Sequence, residues 1–159
     1  MQSKVDYTFG KVSFYDYFWR TTVAIKLFGK ELDADIIIDC YEDEDFSQLQ
    51  RDAFLNFQSD KARIIQDVCI GIFDYYCGAI VTDYRTMLGE EADLCAPVID
   101  DWNDMARVVS FREIIIKHGQ KNGSRTLGFL FDCTWSDKGV GVKIENETVT
   151  MIGFQDIVL

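Results

Sequence analysis

Apolar and polar positions alternate most clearly over residues 19–28, where Val23, Ile25 and Leu27 fall on one side of an extended chain and Thr22, Ala24 and Lys26 on the other. Gly29-Lys30 supplies a turn and residues 32–41 run back, so the pattern predicts a β-hairpin with one face on a core. The run Ile36-Ile37-Ile38 implies that this strand is covered on both faces near its centre. Residues 5–17 are aromatic-rich and read as extended, with Gly10 as a bend or bulge.

The period then changes. Phe46, Leu49, Ala53, Phe54 and Phe57 recur at helical spacing, with Asp45 as the expected N-cap. Gln58-Ser59-Asp60 interrupts the pattern and offers a fresh cap. Ile64, Ile65, Val68, Cys69, Ile72, Phe73 and Tyr76 trace a second, longer apolar stripe, with Gly78 as its terminator. Residues 82–104 are irregular, punctuated by Gly89 and Pro97. The β-branched content of residues 106–117 favours a strand, followed by a polar hairpin loop over residues 118–124.

Three further strands, at 125–134, 140–145 and 148–152, are joined by turns at Asp137-Lys138-Gly139 and Glu145-Asn146-Glu147. Gly141 lies mid-strand, which makes sense if a group such as Trp135 or Phe154 lies flat over it. Hairpin, helices and meander together predict an α+β fold. Its antiparallel sheet joins the N-terminal hairpin to the C-terminal β-meander, with two helices packed on one face.

At 159 residues the chain reads as a single domain over 1–159. Such a chain buries roughly 68–70% of its unfolded surface and needs no disulfide or metal to hold a core. The five cysteines, Cys40, Cys69, Cys77, Cys95 and Cys133, are odd in number and contain no CxxC, which argues against a disulfide framework or a zinc knuckle. No apolar h-region opens the sequence, and no apolar run is read as approaching the ~20 residues that span a bilayer. A cytoplasmic location with no membrane contact is the expectation.

Net charge is −11, from 27 acidic and 16 basic residues. That field repels phosphate backbones, so nucleic acid is not an expected partner, whereas a basic protein is. The acids concentrate at Glu42, Asp43, Glu44 and Asp45, and again at Asp100, Asp101 and Asp104 around Trp102. An aromatic ringed by charge has the composition of an interface anchor, and these eight residues are the candidate partner-binding set. The structural alternative is that Trp102 packs inward while the acids cap helices and face water.

His118 is the only histidine, and a Cys–His nucleophilic pair with Cys133 is formally available. There is no GxxxxGK[ST], GxGxxG after a strand, GxSxG or HExxH, so no catalytic residues, metal ligands or cofactor are assigned.

The C-terminal run FDCTWSDKGVGVKIENETVTMIGFQDIVL combines a Trp, an acidic turn, Gly-x-Gly-Val, a hairpin and Gly-x-x-Asp. It resembles the end of a bacterial family of small domains of unknown function. FGKVSF, the hairpin around FGKEL and a helix carrying Gln50, Ala53 and Phe57 fit the same likeness, which runs from about Phe9 to Leu159 and is weakest over residues 82–104. The resemblance implies the fold and carries over no catalytic residue. Some members resemble immunity-type proteins of toxin systems. The leading expectation is therefore a non-enzymatic, immunity-like domain whose acidic surface meets a basic partner. The alternatives are a small enzyme with an Asp/Cys-lined cleft, or a homo-oligomer assembled through its aromatic N-terminal strand.

Overall fold

The computed structural model describes residues 1–119 and 122–159. Eight strands form one sheet in sequential order: β1 (Gln2–Asp6), β2 (Gly10–Tyr15), β3 (Phe18–Leu27), β4 (Lys30–Ile38), β5 (Val109–Ile116), β6 (Thr126–Cys133), β7 (Val140–Glu145) and β8 (Thr148–Gly153). Neighbours pair antiparallel except β4 and β5, which run parallel in the register Ile36↔Ile114, Ile37↔Ile115 and Ile38↔Ile116. A parallel pair needs a long crossover, and the three α-helices of the described residues lie in it. They are α1 (Gln48–Ser59), α2 (Lys61–Tyr75) and α3 (Val81–Leu88). The α+β architecture, its N-terminal hairpin, its C-terminal meander and two helices packed on the sheet are thus as read from the pattern.

Two-residue reversals organise the strands. Leu27 pairs with Lys30 across Phe28-Gly29, and Glu145 with Thr148 across Asn146-Glu147. All four central residues have positive φ, the backbone twist that suits a tight hairpin. A third such reversal, Asp16-Tyr17, divides residues 5–17 from β3, and a turn between Asp6 and Gly10 divides that stretch again. What reads as one extended segment is therefore two strands. The polar loop expected over 118–124 includes Gln120 and Lys121, which lie outside the described residues.

The helices cover one face, where Trp19, Phe57, Ile64, Val68, Ile72, Phe129 and Phe131 are almost wholly buried. Each such side chain contributes about 1.5–3 kcal/mol by leaving water. α1 begins at the capping box Ser47–Gln50, not at Asp45: the Ser47 side chain accepts from the Gln50 amide and the Gln50 side chain accepts from the Ser47 amide. Asp60 makes no side-chain cap, because its carboxylate is taken by Arg63 at 2.5 Å.

Gly78 does not stop the second helix. The helix widens into a π turn, Tyr76–Ile80, continues as α3 and reverses only at Gly89, φ 61°. The joined helical run Lys61–Leu94 is long and apolar enough, by length and composition, to cross a membrane, contrary to the reading that divided it at Gly78. A third of its most apolar window is buried inside the protein, where Ile64, Val68, Ile72 and Tyr76 join the core.

The opposite face carries a smaller core of Ile37, Ile115, Leu130 and Val158. The C-terminal residues cross the sheet here. A Cβ on Gly128 would stand 2.5 Å from that of Val158, and one on Gly141 would stand 2.8 Å from the Phe154 carbonyl oxygen. The group over Gly141 is thus the backbone of Phe154 and Gln155 with the Ile157 side chain, in place of the expected ring.

Candidate functional site

β4 and β5 end side by side, and the chain leaving each carboxyl end turns toward the start of α1. Three potential ligand atoms meet there. Cys40 follows β4, Glu44 lies in the acidic loop and His118 follows β5, with the sulfur, a carboxylate oxygen and an imidazole nitrogen all within 4.8 Å of one another. Cys40 is buried, whereas Glu44 and His118 are exposed. They line a cavity of ≈ 600 Å³ with Tyr17, Phe18 and Asp39.

The backbone that carries these groups is tied at several points. Gln50, fully buried, donates from Nε2 to the carbonyls of Asp39 (2.9 Å) and Ile116 (3.2 Å). The Asp39 amide donates to the same Ile116 carbonyl at 3.0 Å. Trp19 Nε1 reaches the Tyr41 carbonyl at 3.4 Å, and the Ser47 hydroxyl donates to the His118 carbonyl. Phe46, 5% exposed, anchors the loop by packing edge-on against Trp19. Ligands held on a tethered backbone lose little entropy when an ion binds.

The chemistry of the set is mixed. Thiolate and imidazole suit zinc and its neighbours in the first transition row, and carboxylate completes a common zinc donor set. A tetrahedral zinc ion holds such atoms roughly 3–4 Å apart, so modest side-chain rotation closes the present spacing. Burial pushes the Cys40 thiol above its usual range, and the charges of Glu44, Asp39 and Asp45 push the same way against Lys4. Cys40 is therefore a thiol at neutral pH, and a metal ion has to displace its proton.

Of the acidic residues singled out in the sequence, Glu44 alone enters this cluster. Glu42, Asp43 and Asp45 are exposed on the same loop. Asp100, Asp101 and Asp104 are exposed elsewhere. Asn103 lies 3.6 Å from the Cβ direction of Gly29, at the β3–β4 reversal, which is the other end of β4. The two acidic groups therefore sit at opposite ends of a nine-residue strand, roughly 30 Å apart at the usual rise. Trp102 is half-buried on the main core, and Asp101 caps the turn Trp102–Arg107 by accepting from the Asn103 amide at 2.9 Å.

Cys133 does not meet His118. It pairs with Val109, at the far end of β5 from Ile116, and its sulfur faces the Ser136 carbonyl at 3.2 Å. All five cysteines are free. Sequence spacing missed the Cys40–His118 approach because the parallel β4–β5 pairing creates it. The one local signal was Gln50, a helix glutamine that turns out to be fully buried.

A family model described as Domain of unknown function (DUF6985) matches residues 8–159. No curated protein and no solved structure shows a significant match to the chain.

Proposed function

The chain belongs to that family, and we propose that it is a metal-binding domain that takes one zinc-like transition-metal ion at Cys40, Glu44 and His118. The observation that carries this reading is the convergence of a thiol, a carboxylate and an imidazole within 4.8 Å. Three protein ligands would leave one position of a tetrahedral ion unfilled, and all three residues line the adjoining cavity. A water or a small anion fits there, so the reading is of the small-enzyme or ligand-binding type. Thiolate and carboxylate together cancel a divalent charge. Cys40, Glu44 and His118 would thus hold an ion that polarises water less than one held by neutral ligands alone, which would favour ligand binding over hydrolysis.

Isothermal titration of metal-stripped protein with zinc tests this. One equivalent is expected to bind, with C40S and H118A each weakening it at least tenfold and E44Q less. Unchanged zinc affinity in C40S and H118A, or binding of several weak equivalents in every variant, would overturn it.

A second reading is favoured by the net charge of −11: an acidic surface that engages a basic protein, as immunity-type proteins do, in the cytoplasm. With the acids divided between two ends of β4, such a partner would use one loop at a time. Co-purification at low salt and its loss at high salt would support it.

A further inference from the structure

We propose that a second cleft, between α3 and the β6–β7 connection, binds a small free organic cation of the quaternary or alkylated ammonium type. The cleft has a volume of ≈ 510 Å³, within the usual range for small-molecule sites. Tyr75, Tyr84, Trp135 and Phe154 line it, and among the described residues that line it Asp83 is the only charged side chain. Aromatic rings attract cations through their quadrupole, and one carboxylate at the rim selects charge over mere bulk.

Two residues of the π turn, Ala79 and Ile80, line the cleft. Five residues per hydrogen-bonded ring in place of four rotate the helix face beyond Tyr76, and π turns recur at functional sites. Tyr76 packs on Trp135 with ring centroids 5.1 Å apart, and Tyr84 donates its hydroxyl proton to the Trp135 carbonyl at 2.5 Å. These contacts fix two walls. On the third wall, Phe154 is 42% exposed, and Met87 beside it is 68% exposed, so apolar surface is left to water. Lys138 already holds its ammonium 5.0 Å from the Phe154 ring centroid, so one aromatic of the cleft carries a cation from the chain itself. Burial and the nearby Cys133, Asp83 and Tyr84 raise the Tyr75 pKa, so its phenol stays neutral in the cleft. Cys133 lies beside this cleft, whereas Cys40 belongs to the other site. The two lie toward opposite ends of the sheet and share no lining residue, so either stands or falls alone.

The test is titration of the full chain with choline chloride, followed by the Trp135 indole resonance in a two-dimensional NMR spectrum. The control is the neutral isostere in which carbon replaces the quaternary nitrogen. Choline is expected to shift the signal saturably and to bind about tenfold more tightly than the isostere. The exposed Asp83→Asn should weaken choline by about fivefold. Lys138→Ala, which vacates the Phe154 ring, should strengthen it. Equal binding of choline and isostere, choline binding unchanged in D83N, or no saturable shift would each overturn the proposal. Circular dichroism of both variants confirms that a loss reads the site and not the fold.

Discussion

Gln50 hydrogen-bonds the Ile116 carbonyl at 3.2 Å, joining the first turn of α1 to the end of a strand that follows far later in the chain. Its second bond, to the Asp39 carbonyl, fastens the neighbouring parallel strand. One amide thus holds together the two backbone ends that carry Cys40 and His118. Gln50→Ala removes both bonds and the reciprocal half of the capping box. A loss of about 2–3 kcal/mol is expected in urea unfolding. Zinc affinity should fall in the same variant although no ligand has changed.

Asp6 and Arg51 form an ion pair at 2.8 Å with both side chains at most 10% exposed. Burial alone would raise the Asp6 pKa, but the Arg51 hydrogen bond and the Phe9 and Thr8 amides outweigh it and leave it lowered. The pair's stabilisation is therefore complete above the unfolded carboxyl value of about 3.9 and is lost as pH falls through the lower folded value. Asp6→Asn is expected to cost about 2–4 kcal/mol at neutral pH. The gap to the natural chain should narrow below about pH 4, as read from denaturation at a series of pH values.

Gly128 lets Val158 lie on the sheet. Gly128→Ala drives a Cβ into Val158 and is expected to cost about 1–3 kcal/mol through overpacking. Val158→Gly in the same chain should restore part of the loss. If the double variant is no better than the single, the C-terminal crossing is not what Gly128 accommodates.

Zinc that binds only the folded state must raise its stability. With free zinc at a hundred times Kd the gain is about 2.7 kcal/mol, seen as a higher Tm. His118→Ala is expected to lose about half of the gain or more at the same zinc concentration, while keeping the metal-free Tm, because His118 is exposed.

The elements most legible in the sequence were those set by short-range rules. β3 alternates, and the reversal after it contains Gly29. The C-terminal turns hold Asn146 and Gly139, residues that tolerate positive φ. The reversal at Asp16-Tyr17 was hidden because neither residue is a glycine or asparagine. Gly78 misled because a π turn accommodates it inside a continuing helix. At the site, Glu44 was visible as one acid among several. His118 was visible as a partner for Cys133 and Cys40 as one of five cysteines, but their meeting was not, since only the crossover that makes β4 and β5 parallel brings them together. Asp101 and Trp102 were visible for their composition, yet one caps a turn and the other packs on the core.

The central claim is a thiolate-ligated metal at Cys40, and cobalt reports it directly. Cobalt(II) added to the metal-free chain is expected to give a near-ultraviolet thiolate-to-metal band that saturates at one equivalent, disappears on zinc addition and is missing in C40S. A spectrum with no such band, or the same band in C40S, would contradict the account.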